Sequence, residues 1–144
     1  MLSAFFFCLA LREKEETMSQ DRRQIEQIIE KAYIGGIHTT PNLDTLLSGF
    51  HREFRMLVRR DDALVKVSPE EFVAMMVTAR EANPDAFTEP VSFEIPLVEI
   101  TGDAAVAQVE LSRGGKLLFT DYLSLYRIDA RWQAVAKIFQ SHQA

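Results

Sequence analysis

Residues 119–139 read FTDYLSLYRIDARWQAVAKIF, and this stretch decides the fold. Apolar and polar residues alternate on both sides of Asp129-Ala130, which is the spacing of half-buried β-strands. Asp129-Ala130 itself is short enough to form a two-residue hairpin turn. The sequence therefore predicts a long antiparallel hairpin near the end of the chain, with one strand over residues 116–128 and the other over residues 131–140.

The two faces of this hairpin follow from strict alternation once the turn pairs Ile128 with Arg131. The more apolar face is predicted to pack on the core and comprises Phe119, Asp121, Leu123 and Leu125 opposite Trp132, Ala134, Ala136 and Ile138. The second face comprises Thr120, Tyr122, Ser124 and Tyr126 opposite Gln133, Val135, Lys137 and Phe139. A shift of one residue in the turn would change the pairing of the last strand and reverse the predicted face of each of its residues.

Asp121 is the unusual member of the predicted core face, because an ionised carboxylate in an apolar row is unfavourable unless it is paired or hydrogen-bonded. In a pocket, its pKa would be raised and it could act as a general acid or base. In a structural role, it would accept hydrogen bonds from a helix start or from a tyrosine. The sequence leaves both hypotheses open.

The second face of the hairpin suits a subunit interface, since it is aromatic and moderately polar. A solvent-exposed sheet face with several apolar residues also typically marks a surface that binds another protein. We expect a homodimer whose interface contains Tyr122, Tyr126, Val135, Lys137 and Phe139. The alternative is an ordinary exposed sheet face.

Helices are predicted in the first half of the chain. Apolar residues recur at spacings of three and four from Ile25 to Ile37, with Asp21 as a plausible N-terminal cap. Gly35-Gly36 near the end of this helix suggests close approach to a sheet or fraying. A short helix follows around residues 43–50. Ser68 starts another helix, with proline next and glutamate three residues on, and Asn83-Pro84 ends it.

Strands account for the rest of the predicted structure. A hairpin is expected over residues 54–67, and two more strands over residues 91–100 and 104–113. The alternation of the first of these shifts phase after Pro96, as a bulge or an edge position requires. Helices gathered early and long antiparallel strands gathered late predict the α+β class, with one curved sheet whose helices lie on one face.

The first seventeen residues form a separate prediction. Residues 4–11 are apolar but far shorter than the roughly 20 residues needed to span a bilayer. They also lack the basic start and small-residue cleavage site of a signal peptide. We expect residues 1–17 to be a dispensable extension, or the result of a start codon assigned too far upstream, and residues 18–144 to form one domain, which begins near Met18. Export is the alternative.

Composition argues against several classes of function. With 144 residues and a net charge of −5, the chain has the size of one domain and no basic stripe for nucleic acid. Cys8 is the only cysteine, and the three histidines, His38, His51 and His142, are isolated, so no disulfide framework or metal motif is predicted. No phosphate loop or other cofactor motif is present, and a cytoplasmic protein without cofactor is expected.

Four parts of the sequence resemble one family in order and spacing. They are YIGGIHT at 33–39, FH at 50–51, TGDAAVA at 101–107, and FTDYLSL at 119–125 with RW at 131–132 and KIF at 137–139. The family is the bacterial "putative lumazine-binding" group of the nuclear transport factor 2-like superfamily, and the resemblance covers about residues 24–139. It implies a cystatin-like cone, in which a bent antiparallel sheet wraps a long helix, and a dimer formed through the outer face of the sheet.

The resemblance also implies a pocket between helix and sheet. We expect it to be lined by Tyr33, Phe54, Met56, Phe72, Met76, Phe119, Asp121 and Trp132. The favoured function is binding of a small apolar or aromatic molecule. The alternative is an acid–base enzyme of the isomerase, dehydratase or hydrolase type, with Asp121 as base and Tyr33 or His51 as donor.

The sequence departs from the family where relatives often carry asparagine before the last-strand lysine, because Ala136 stands there. Another departure is Arg52-Glu53, where relatives often have Pro-Asp after the histidine. Ala136 is predicted to share the face of Asp121, at a place where catalysis would require a second polar group. Its apolar side chain therefore weakens the enzymatic hypothesis.

Overall fold

A computed structural model describes residues 2–143. Helix α1 (Leu2–Gln27) runs directly into a π-helical segment (Ile28–Thr39), and the short α2 (Leu43–Leu47) follows. Helix α3 (Pro69–Ala82) leads into a 3-10 turn (Pro84–Phe87). The six strands are β1 (Phe50–Arg60), β2 (Ala63–Val67), β3 (Ser92–Thr101), β4 (Ala104–Arg113), β5 (Lys116–Ile128) and β6 (Arg131–Ser141).

All six strands belong to one sheet, in the order β2-β1-β6-β5-β4-β3. Every neighbouring pair is antiparallel except β1 and β6, which run parallel. The α+β prediction is confirmed, and the sheet is mixed rather than wholly antiparallel. Pro96 lies on the edge strand β3, where the register with β4 shifts between Glu94 and Leu97, as its sequence position predicts.

The N-terminal helix is longer than predicted. No glycine or proline occurs before Gly35, so nothing in the sequence stops the helix at Asp21. The cap prediction for Asp21 is therefore wrong: this residue is buried within α1, where its Oδ1 accepts hydrogen bonds from Trp132 Nε1 and Arg127 Nη1, each at 3.0 Å. Asp21 thus ties α1 to the final hairpin.

The residues that precede Asp21 in α1 present exposed side chains from Ala4 to Gln20, among them three consecutive phenylalanines, Phe5, Phe6 and Phe7. Among residues 2–143, no helix combines the length and apolar character that a bilayer span requires. The division of the chain near Met18 stays a prediction.

Gly36 in the π-helical segment marks a close approach between helices. A Cβ at this position would lie 2.8 Å from the backbone nitrogen of Leu46 in α2. The sequence predicted contact with a sheet or fraying, whereas the glycine actually admits the backbone of α2. Because the two helices touch here, the π-helical segment is held against the start of β1, which follows α2 directly.

Helix α3 begins as the sequence predicts. Ser68 Oγ accepts from the backbone N–H of Glu71, and the backbone N–H of Ser68 donates to Glu71 Oε1, both at 3.2 Å. This reciprocal pair satisfies two N–H groups that the helix leaves without partners. The helix is thereby fixed at one end, with Phe72 packed into the core.

The final hairpin forms with the predicted turn, since Ile128 pairs with Arg131. The register then shifts, because Leu125 pairs with Ala134 while Ser124 pairs with Ala136, which leaves Val135 as an extra residue in β6. Such a bulge reverses the face of every later residue in its strand. The change of register therefore occurs within β6, at Val135, and not at the turn.

Two interface predictions are wrong as a result of this bulge. Lys137 and Phe139, expected on the outer face, point to the core side, where Lys137 pairs with Leu123 and Phe139 with Asp121. Ala136 and Ile138 take the outer positions instead, and the side chain of Ile138 is exposed. The inner surface of β6 thus acquires a lysine.

Candidate ligand site

Three polar side chains meet on the core-facing side of the sheet. They are Tyr33 from the π-helical segment, Asp121 from β5 and Lys137 from β6. Their exposed fractions are 0%, 0% and 5%, respectively. The hydroxyl of Tyr33 donates to Asp121 Oδ2 at 2.5 Å, and Lys137 Nζ donates to the same hydroxyl oxygen at 2.7 Å. Lys137 Nζ also lies 3.5 Å from Asp121 Oδ1, an ion-pair contact that does not satisfy that oxygen with a hydrogen bond.

Aromatic rings enclose the ammonium group of Lys137. Its Nζ lies 4.8 Å from the ring centroids of Tyr33 and Phe72, and 5.1 Å from that of Phe139. The faces of aromatic rings attract cations, most strongly where water is excluded. These rings thus replace part of the hydration that a lysine loses inside a protein.

Burial governs the electrostatics of the cluster. Loss of solvent raises the pKa of Tyr33 well above its usual value, and the charge of Asp121 together with its hydrogen bond adds to this effect. Burial also lowers the pKa of Lys137, while the charge of Asp121 and its hydrogen bond oppose the shift. The tyrosine therefore stays protonated and bridges the carboxylate and the lysine.

His38 connects this cluster to a cavity. Its Nε2 lies 3.3 Å from the hydroxyl oxygen of Tyr33. Since the single hydroxyl proton of Tyr33 is donated to Asp121, Nε2 must be the donor to this oxygen, and Nδ1 is left as an acceptor. Burial, then the positive charges of Lys137, Arg113 and Arg80, lowers the pKa of His38 to about 3, so the imidazole is neutral at pH 7.

A cavity of about 200 Å³ opens above His38, between α3 and the sheet. Its walls are mostly apolar, and the residues that line it are His38, Met76, Ala79, Phe87, Val91, Leu111, Arg113, Leu118, Phe119 and Gln143. A second cavity of about 190 Å³ shares His38, Phe87 and Val91 and adds Arg80 and Glu89. An apolar cleft with a few placed polar groups is the usual form of a small-molecule site.

A family model described as "Putative lumazine-binding" matches residues 20–140, which include every residue of the polar cluster and all but one of the residues that line the apolar cavity. The chain belongs to this family.

Solved structures of this fold include a nuclear transport factor 2-like protein of unknown function from Silicibacter pomeroyi, which is 22% identical, with a TM-score of 0.70 over 87% of this chain and 98% of that one. A similar protein from Shewanella baltica is 19% identical, with a TM-score of 0.69 over 88% and 97% of the two chains. A cystatin-like domain of unknown function from Nostoc punctiforme is 12% identical, with a TM-score of 0.63 over 87% and 79%. No curated protein matches the sequence.

The structure of this putative lumazine-binding family member divides the predicted pocket residues into three groups. Met76 and Phe119 line the apolar cavity, whereas Tyr33 and Asp121 contact each other behind His38 and do not line it. The remaining predictions do not fit either cavity: Phe54, Met56 and Phe72 are buried in the core, and Trp132 borders a separate groove next to α1. These residues are bulky and pack into the cone instead of leaving space in it.

The proposed catalytic residues are likewise only partly brought together. Tyr33 and Asp121 are in contact, but His51 is engaged locally, where its Nδ1 accepts the backbone N–H of Glu53 at 2.9 Å. Ala136 does not face Asp121, because the bulge at Val135 turns it outward and brings Lys137 to the cluster. The expectation that no second polar group faces Asp121 is therefore wrong.

Sequence reasoning did not identify His38, Arg80 or Arg113 as site residues, and it placed Lys137 in the subunit interface instead of the ligand site. His38 follows Tyr33 by five positions, which is the hydrogen-bond spacing of a π-helix and places both residues on one face. In an α-helix, residues five positions apart lie on different faces, so predicting an α-helix here does not bring Tyr33 and His38 together. Lys137 could have been found only by predicting the bulge at Val135, for which the sequence offers no glycine or proline as a signal.

Proposed function

We propose that this protein binds a small, largely apolar molecule in the cavity above His38. The observation that carries the proposal is a cavity with mostly apolar walls inside the cone, with a neutral histidine at its inner end. The apolar residues favour transfer of a hydrophobic body out of water. His38 Nδ1 offers an acceptor to a ligand hydroxyl or N–H group, since its other ring nitrogen is engaged by Tyr33.

The buried cluster supports binding more than catalysis. Asp121 is covered by Tyr33 and Lys137 and does not border the cavity, so a ligand there would not touch its carboxylate. A general base has to reach the proton that it removes, directly or through one water. The cluster instead fixes the orientation of Tyr33, and through it the ring of His38.

A neutral fluorescent probe tests the proposal. N-phenyl-1-naphthylamine gains emission in apolar surroundings and carries no charge. We expect it to bind the wild type and to lose binding in Met76→Trp, because the larger side chain fills the cavity. Met75→Trp is the matched control, since Met75 is exposed on the outer side of α3. Equal emission from both variants would show that the probe binds elsewhere.

We also propose that the protein forms a homodimer through the outer face of the sheet. Four large apolar residues on that face, Val106, Tyr122, Tyr126 and Ile138, are 45–53% exposed. They lie on the three adjacent strands β4, β5 and β6. This set keeps Tyr122 and Tyr126 from the predicted interface and replaces Lys137 and Phe139, which point inward, while Val135 is partly buried at the bulge.

A further inference from the structure

We infer that the ligand carries a carboxylate, which pairs with Arg113 and Arg80 at the cavity while its apolar body occupies the space beside Met76. This inference rests on the proposed function and specifies the class of ligand. It concerns a monocarboxylate with a short aliphatic or aromatic body, because the cavity measures only about 200 Å³.

Two guanidinium groups each lie over the ring of Phe87, beside the cavities. The Cζ atoms of Arg80 and Arg113 are 5.1 and 5.0 Å from the ring centroid of Phe87. Arg113 borders the apolar cavity and Arg80 borders its neighbour, and Phe87 and His38 line both. Two like charges are therefore gathered around a single ring.

Neither guanidinium has a carboxylate partner within the described part of the chain. The ion pairs of residues 2–143 with atoms within 4.0 Å include neither arginine. Each donates instead to a backbone carbonyl: Arg80 Nη2 to His38, and Arg113 Nε to Glu89 at 3.1 Å. Arg80 Nε is buried and has no hydrogen-bond partner at all.

Unpaired cations in a partly buried site are unfavourable, and an incoming anion removes that penalty. Burial followed by repulsion from Arg80 lowers the pKa of Arg113, and Glu89 opposes the shift. Glu89 itself is exposed. The two guanidinium groups thus favour negative charge at the cavities, whereas the carboxylate of Glu89 opposes it. Guanidinium groups bind carboxylates through paired N–H donors.

The apolar residues that line the cavity determine the rest of the ligand. Leu111, Leu118 and Phe119 extend from the arginines along β4 and β5. One aromatic ring attached to a carboxylate by a short linker matches this arrangement of a charged end and an apolar wall. Polyphosphates do not fit, because the cavity measures only about 200 Å³ and its walls are mostly apolar.

The test compares trans-cinnamate with cinnamamide, which has the same ring and linker but no charge. Calorimetric titration of the wild type should show cinnamate binding at least about tenfold more tightly, since charge-assisted hydrogen bonds are the stronger class. Arg113→Gln should weaken cinnamate binding by about tenfold or more and leave cinnamamide within about twofold. Arg113→Lys should restore part of the loss. Arg59→Gln, at an exposed arginine of β1, is the control and should change neither affinity.

Three outcomes would overturn the inference. The first is equal affinity for cinnamate and cinnamamide, and the second is unchanged cinnamate binding in Arg113→Gln. In either case the proposed function is judged separately, by whether binding of the neutral N-phenyl-1-naphthylamine depends on Met76. The third is no binding of cinnamate at millimolar concentration; if N-phenyl-1-naphthylamine binding also fails to depend on Met76, the proposed function falls with it. Circular dichroism of each variant establishes that it is folded.

Discussion

The hydroxyl of Tyr33 donates to the carboxylate of Asp121 across 2.5 Å, and this bond joins residues 88 positions apart in the sequence. It connects the π-helical segment to the middle of the sheet, at a point where both side chains are fully buried. Lys137 completes the contact from the neighbouring strand. The polar cluster therefore couples the helix that carries His38 to the strands that form the wall of the cavity.

Asp121→Asn should destabilise the protein strongly. The substitution removes the negative charge that compensates Lys137 and leaves a buried ammonium group without a counterion. Loss of one partner from a buried ion pair typically costs about 3–5 kcal/mol. Urea unfolding followed by circular dichroism measures the change in the free energy of unfolding.

The double variant Asp121→Asn with Lys137→Met is the matched control, because the amide oxygen still accepts from the Tyr33 hydroxyl. Removing both charges avoids an uncompensated ion, so this protein should regain most of the stability that Asp121→Asn loses. A change below about 0.5 kcal/mol in Asp121→Asn, within the range of ordinary surface substitutions, would contradict the structural role of the carboxylate.

Gly36→Ala should destabilise the protein, whereas Gly35→Ala should not. The added methyl group at Gly36 would lie 2.8 Å from the backbone nitrogen of Leu46, which cannot move without displacing α2. Overpacking of this kind costs about 1–3 kcal/mol. At Gly35 the nearest atom is 3.7 Å away, so alanine fits and should stabilise the helix by about 0.4–1 kcal/mol. Urea unfolding of both variants measures the change in the free energy of unfolding. Equal changes in the two variants would contradict the close approach between Gly36 and the backbone of Leu46.

The sequence predicted the fold more fully than the site, and particular residues show why. The cap at Ser68, the turn at Asp129-Ala130 and the shift at Pro96 each depend on local chemistry, and the structure has all three. The bulge at Val135 depends on how β6 fits between β5 and the parallel strand β1, which local sequence does not encode. Because that bulge selects which face carries Lys137, the polar cluster was only partly predictable.

His38 should make the stability of the protein depend on pH in mild acid. Its pKa is about 3 in the folded state and 6.5 in the unfolded chain, so between these values the unfolded state binds more protons. Stability is therefore greatest above about pH 6.5 and is lost as the pH falls toward 3, with a slope of at most about 1.4 kcal/mol per pH unit for one proton.

Urea unfolding at several pH values between 4 and 7 measures the effect. His38→Gln should flatten the pH dependence relative to the wild type, because it removes the proton that only the unfolded state binds readily. His142→Gln serves as the control for the loss of one histidine, at an exposed position in the C-terminal residues after β6. Equal slopes in the wild type and His38→Gln would show that burial of His38 does not control its protonation.

Tyr122→Glu should convert the proposed dimer to a monomer. Tyr122 lies at the centre of the outer face, where it pairs with Gln108 of β4 and with Ile138 of β6. A carboxylate at this position would be buried in the proposed interface, where a charge without a partner and without water is unfavourable. Sedimentation velocity should show a lower sedimentation coefficient for Tyr122→Glu.

Val77→Glu, an exposed apolar position on α3, should leave the coefficient unchanged. A wild type that sediments as a monomer, or a Tyr122→Glu protein that sediments like the wild type, would contradict the proposed interface.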